Sequence, residues 1–378
     1  MKLKYALCTA VLGVNLIACS SSTAQPSTTV ASSTVVPSTV DLSSKDLAGA
    51  DLSGADLSGK DLTNVNLDGA NLSNANLDGA DLTGASLKSA NLNGASLIET
   101  ILDLVNLSSA DLGKANMMNA HVDGSDLSGA NLQGANVDGT RFSGSDLSGL
   151  DLSGMDFNNA HLSSADLNDA NLDGANLSGV FMPGASLISA TLNNAKLDNA
   201  ILGDVNLSGA DLTWANLIGA HLEGANLIGA EMGGASLIGA NLSGANLTGA
   251  YLGNTNFVGA NLHGANLSGS NLESADMRGA FMTNVILEKA DLSGANLSGL
   301  YMKGLNLSGA DLCCAVLDGT NLSGANLKGA DLHLTDLSDA NLEGADLSGA
   351  LMSAEDGETN LNQANLSGVT MPDGSIHK

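Results

Sequence analysis

The chain has 378 residues, with 40 acidic against 13 basic side chains, a formal net charge of −27, and only 2% aromatics. The acidic excess argues against binding nucleic acid through phosphate contacts and points to a basic partner or none. The scarcity of aromatics excludes a conventional globular core: the interior has to be built from Leu and Ala, in a thin section whose stability accumulates unit by unit.

Residues 1–18 read as a secretory signal peptide, with Lys2 and Lys4 followed by an apolar stretch from Ala6 to Ile17. Its end, Leu16-Ile17-Ala18-Cys19, resembles the lipobox of bacterial lipoproteins. That resemblance implies cleavage before Cys19 and lipid attachment to its thiol. The apolar stretch is short for a spanning helix and contains Asn15, so contact with a membrane would rest on the lipid. Cleavage after Ser22-Thr23-Ala24 is the alternative and releases a secreted or periplasmic protein. Residues 19–40 then form a tether: from Ser20 to Val40, twelve of twenty-one residues are Ser or Thr, with Pro26 and Pro37 and no charge. At 5–6 Å × √n, its root-mean-square reach is about 25 Å. Ser20 after the cysteine resembles the outer-membrane sorting signal of enteric bacteria.

From Leu42 to Met352, sixty-three pentapeptides follow one another without a slip of register, each close to Ala-(Asp/Asn)-Leu-Ser-Gly. An unbroken array of this kind predicts one elongated unit. Leu at the centre and Ala two residues before it recur every five residues, which is neither the helical nor the strand period. A turn in every repeat accounts for that spacing, with Ala letting backbone walls approach, Leu filling the space between them and Gly fitting the corner. This motif resembles the pentapeptide-repeat family. The resemblance implies an all-β fold, a right-handed quadrilateral parallel β-helix (a solenoid), here of about sixteen four-sided coils over residues 41–354. With neighbouring coils about 4.8 Å apart, such a rod is roughly 75 Å long.

A twenty-residue period is visible in the sequence once the central residues are sorted into four faces. The series from Leu47 to Leu347 is Leu in all sixteen places, whereas the series from Leu42 admits Val122, Phe142, Met182, Met282 and Met302, and that from Leu57 admits Met117, Val137, Phe157, Phe257 and Met277. Nine residues, instead of five, separate Met352 from Leu361; an acidic loop, a terminal coil and a tail over residues 355–378 are expected to cap the open end. Lys45 and Lys60 stand where Ala is the rule and would point inward, which predicts fraying of the first coils.

Most residues before the central Leu are Asp or Asn and are expected to face solvent. One column departs over seven consecutive coils: Ile101, His121, Arg141, His161, Phe181, Ile201 and His221, with Phe281 and Tyr301 further on. The other three columns depart in 11 of 47 places, scattered. The run predicts a stripe about 30 Å long that is mixed apolar and cationic, a surface for an unknown protein partner or for self-association. The alternative is that one face tolerates larger side chains for packing reasons.

His121 and His161, two coils apart, are too distant to share a zinc ion. Stacked Asp126, Asp146 and Asp166, and Asp291, Asp311 and Asp331, lack the rest of a calcium loop. Cys313-Cys314 is either a pair of free thiols or a vicinal disulfide, without the spacing of a redox motif or the extra ligands of a zinc site. Nucleophile-elbow, HExxH and phosphate-loop motifs are missing, and no cofactor, small-molecule substrate or catalytic residue is expected.

The function expected is therefore non-enzymatic: an acidic rod, lipid-anchored at Cys19 in a bacterial cell envelope, serving as scaffold or protein-interaction surface. The family resemblance implies a second reading, a DNA-mimicking gyrase-binding protein, which requires a cytosolic location. From residue 41 the net charge is −29, about one charge per 2.6 Å of the expected rod against one per 1.7 Å of duplex DNA.

Overall fold

The structure, a computed structural model, describes residues 46–354 and 357–378. The signal segment with Cys19, the tether, the first repeat at Leu42, Lys45 and the loop residues Glu355 and Asp356 lie outside the described residues. The chain divides into two compact units, one comprising residues up to Asp151 together with Asn159–His161, the other Leu152–Asn158 with Leu162–Lys378.

Within each unit the same unit of construction recurs. The repeat Asn76-Leu77-Asp78-Gly79-Ala80 shows where its backbone groups go. The Asn76 amide donates to the Ala55 carbonyl of the preceding coil at 2.9 Å, Leu77 to Ser96 of the following coil at 2.8 Å, and Gly79 to Ile98 of that coil at 2.9 Å. Ala80 closes a turn onto the Leu77 carbonyl at 2.9 Å. Gly79 has φ +63°, so this is a turn with a left-handed third residue, the type II pattern that favours glycine. The fifth amide, on Asp78, donates to the side-chain oxygen of Asn76 at 3.0 Å. All five donors are thereby satisfied without water, as a buried-walled coil requires. Parallel bridges link residues twenty apart, as in Asp56 to Asn76 and Asn76 to Ser96, so four pentapeptides complete each coil.

The corner geometry belongs to the coil more than to glycine. Trp214, Leu104, Lys114, Glu99 and Cys314 all hold φ between 56° and 62° at the same position. The ladder and the turn bond together over-determine that conformation against its intrinsic cost.

The interior is the expected Leu and Ala stack, with Leu77, Leu207 and Leu347 fully buried and Phe142, Phe157 and Phe257 admitted on the tolerant faces. Where Ser or Thr replaces the inward Ala, its hydroxyl finds a carbonyl: Thr100 donates to Leu77 at 2.8 Å, Ser125 to Leu102 at 2.6 Å, and Thr335 to Leu312 at 2.8 Å. No buried side-chain polar atom among the described residues lacks a partner. Lys60 does point inward and is 4% exposed, yet its coil is regular: its carbonyl accepts from Asp81 at 2.9 Å. The fraying expected there is not seen at Lys60, since its backbone keeps both ladder and turn bonds.

The four-residue insertion after Met352 forms a small antiparallel hairpin, β1 (Ser353–Ala354) with β2 (Gly357–Glu358). The ladder then resumes with a spacing of twenty-four, from Asp336 to Asn360 and Asp346 to Thr370. Finally the tail turns back, His377 donating to Val369 at 2.8 Å and Thr370 pairing antiparallel with Ile376, which occupies the last edge.

Candidate interaction face

The residue before each central Leu does more than face solvent. Its Asp or Asn oxygen accepts the amide two residues on, an Asx turn that caps the start of the corner. Asp211 does this for Thr213 at 3.0 Å, Asn256 for Val258 at 3.0 Å, and Asp291 for Ser293 at 3.0 Å. A Ser or Thr at the capped position adds its hydroxyl, as Ser338 does to Asp336 at 2.7 Å. The hydroxyl and then the amide of Ser338 hold the Asp336 carboxyl below its ordinary range, and Ser348 does the same for Asp346. Stacked asparagines add a second contact, Asn261 donating to Asn241 at 2.9 Å.

Every residue of the stripe has given up this cap. In the first unit, Ile101, His121, Arg141 and His161 follow one another on the ladder. The caps lost at His121 and Arg141 are replaced from the preceding coil: Asp103 accepts the Asp123 amide at 3.0 Å, and Asp123 accepts the Ser143 amide at 2.8 Å. Asp123 also pairs with Arg141 at 2.6 Å. Arg141 is thus not a free cation of the stripe, because a carboxylate one column over neutralises it. The same replacement serves other departures, Asp78 capping Ile98 beside Ser96 and Asp173 capping Asn193 beside Thr191.

In the second unit, Phe181, Ile201 and His221 are likewise consecutive, and the ladder continues through Asn241 and Asn261 to Phe281. Pro183 follows Phe181 by two, so the amide that would need a cap does not exist; proline also fits the second position of the type II turn completed by Gly184 at φ +65°. His221 Nδ1 lies 3.2 Å from Glu223, whose carboxylate also accepts from Asn241 at 2.5 Å. Phe281 and Tyr301 are 64% and 57% exposed, Phe181 41%, whereas Ile201 is half-buried. An open recess of about 330 Å³ lies along this column, lined by Asn261, His263, Phe281 and Thr283.

A second apolar group, in the second unit, was not singled out by the stripe. Trp214 lies flat over the next corner: a Cβ on Gly234 would stand 2.4 Å from two of its ring carbons. Tyr251 stands on the same face, two ladder steps from Asp211, and Ile218 and Ile238 stack twenty apart on the next. All four are exposed by more than a third. The signal was available, since sorting the residue after the central Leu by twenties gives Ile218, Ile238 and Val258 in succession.

The stacked aspartates act as turn caps: Asp126, Asp146 and Asp166 hold Ser128, Ser148 and Asn168, each at 2.9 Å. Among the described residues no three His, Cys, Asp or Glu side chains could hold a metal ion, and no helix is long and apolar enough to cross a membrane.

The family model described as pentapeptide repeats matches successive segments between residues 46 and 353, overlapping only from residue 280 on. No curated protein matches the chain. Among solved structures, the chain is similar to HetL, a pentapeptide repeat protein involved in heterocyst differentiation regulation from the cyanobacterium Nostoc sp. strain PCC 7120, with 35% identity over 60% of this chain and 92% of that one and a TM-score of 0.30. It is also similar to full-length QnrB1, a plasmid-mediated fluoroquinolone resistance protein, with 17% identity over 58% of this chain and 90% of that one, TM-score 0.26. A pentapeptide repeat protein of the Arabidopsis thaliana thylakoid lumen is 25% identical over 36% of this chain and 72% of that one, TM-score 0.14. The repeat matches cover most of the sequence, and the five-residue turn, twenty-residue ladder and Leu-centred interior accompany them: the chain belongs to the pentapeptide-repeat family, whose members fold as right-handed quadrilateral β-helices.

Proposed function

We propose that this protein is a non-enzymatic binding scaffold of a bacterial cell envelope, anchored through lipid on Cys19, and that the stripe is its contact face. The observation that carries the reading is chemical. Phe281 and Tyr301 sit in solvent at positions where Asp or Asn would cap a turn, so each holds an exposed aromatic in place of a stabilising hydrogen bond, and Phe181 is exposed where Pro183 leaves no amide to cap. Aromatic anchors of this kind dominate protein contact energies when a partner buries them. The occupant is a protein surface or a second copy, because an acidic chain with a net −29 from residue 41 repels nucleic acid.

The contact face is tested by replacing Phe181, Ile201 and Tyr301 together with Asn. The triple variant should keep its far-UV circular dichroism while losing self-association in analytical ultracentrifugation, or losing photo-crosslinks from a probe placed at Phe281. Unchanged association and crosslinking would sink the assignment. Anchoring is tested by intact mass and membrane fractionation beside Cys19→Ser. Wild type should carry a lipid mass and sediment with membranes, and the variant should not. An unprocessed cytosolic protein would instead favour the DNA-mimicking reading.

A further inference from the structure

We propose that Cys313 and Cys314 together chelate one thiophilic metal ion, of the Cu(I), Zn(II) or Cd(II) class, at a coil corner of the second unit. Their sulfurs lie 3.4 Å apart, and neither is in a disulfide. A metal about 2.3 Å from each sulfur, the zinc–thiolate distance, would subtend an S–metal–S angle of about 95° across that gap, within easy side-chain adjustment of tetrahedral geometry. The pair is pre-set by the fold. Cys314 occupies the corner at φ 62°, which the coil imposes on whatever residue stands there. The Cys313 amide is held by Asp311 at 2.9 Å, and the Cys314 amide donates to the His333 carbonyl at 2.9 Å. The backbone needs no reordering when an ion arrives, and Cys314 is open to solvent.

The surroundings favour a cation. Asp311 and Asp331 are paired on the ladder beside the thiols, and Asp331 also holds His333 Nδ1 at 2.6 Å. An arriving metal ion displaces the thiol protons, and the nearby carboxylates offset part of its charge. Soft sulfur donors select soft ions over calcium or magnesium. The two sulfurs are the protein's ligands, and solvent or a small thiol completes the shell.

The test uses the full reduced chain titrated with Cd(II) alone, read by the near-ultraviolet sulfur-to-metal charge-transfer band. Wild type should bind one equivalent, more weakly as pH falls, because thiol protons must leave. Cys313→Ser and Cys314→Ser should each lower affinity on the order of a hundredfold, the loss of one arm of a chelate. A Cys8→Ser/Cys19→Ser variant should bind as wild type does, which separates this site from the N-terminal thiols. Far-UV circular dichroism checks that each variant folds, and Cys→Ala versions provide a second set. An undiminished band in the Cys313→Ser/Cys314→Ser variant, equal binding by either single variant, or no binding by the reduced wild type overturns the proposal.

Discussion

Two kinds of column recur within the units, and they differ in what holds their turns. In the ordinary columns the residue before the central Leu is Asp or Asn, and its side chain closes an Asx turn, as in Asn256 with Val258 and Asp291 with Ser293. In the column carrying Ile101 to His221, and again Phe281 and Tyr301, that side chain is gone. The fold answers in two ways: carboxylates borrowed from the preceding coil at Asp103 and Asp123, and Pro183, which removes the donor outright. Asp and Asn in this repeat are thus structural residues first and surface residues second. A departure that neither a borrowed carboxylate nor a proline answers is therefore a lost hydrogen bond, worth roughly 0.5–1.5 kcal/mol.

The largest effect is expected in the interior, which both kinds of column share. Leu207→Ala, at a fully buried position, should cost about 2–5 kcal/mol in chemical denaturation, whichever column stands above it. Next comes the borrowed cap. Asp123→Ala removes both the Ser143 amide's acceptor and the partner of Arg141, and should cost about 1.5–3 kcal/mol. Arg141→Ala removes only the half-exposed ion pair and should cost under about 1 kcal/mol. Equal losses for the two would mean that Asp123 acts through charge and not as a cap. Smaller again, and opposite in sign, Phe281→Asn restores the consensus residue and should raise stability by about 0.5–1.5 kcal/mol while weakening any association. A destabilised Phe281→Asn protein would show that the aromatic is there for packing.

The smallest effect is the acid response of the ordinary columns. Asp336 and Asp346 are held below the ordinary carboxyl value of 3.8 by the hydroxyl and amide of Ser338 and Ser348. A carboxylate with a depressed folded value contributes stability that is present above the unfolded value and lost as pH falls through the folded one. Stability should therefore be level near neutrality and decline below about pH 4. Asp336→Asn with Asp346→Asn keeps both caps without a titrating group, so its circular dichroism should hold to lower pH than wild type. A variant that declines in step with wild type would assign the acid response to other carboxylates.

Much of this was legible in the residues. The five-residue spacing of Leu47, Leu52 and Leu57 marks the turns, and the sixteen leucines from Leu47 to Leu347 against the mixed series from Leu42 mark the twenty-residue coil. Lys60 pointing inward was legible too, although the regular bonds of its coil were not. The cap made by Asp and Asn was less accessible, because an exposed polar residue has many explanations until its oxygen is seen 3 Å from an amide. Pairings such as Asp123 with Ser143, or Trp214 over Gly234, join residues twenty apart, and only the stacking of coils brings them into contact.

The repeat, the coil period and the Leu and Ala interior follow from residue order alone, since each is a periodic burial pattern and periodicity survives without coordinates. The repair of particular departures, the neutralisation of Arg141 and the 3.4 Å approach of the Cys313 and Cys314 sulfurs emerge only from the folded coils. Those outcomes depend on side-chain directions and on neighbours from the adjoining coil, and a linear pattern of residue types carries neither.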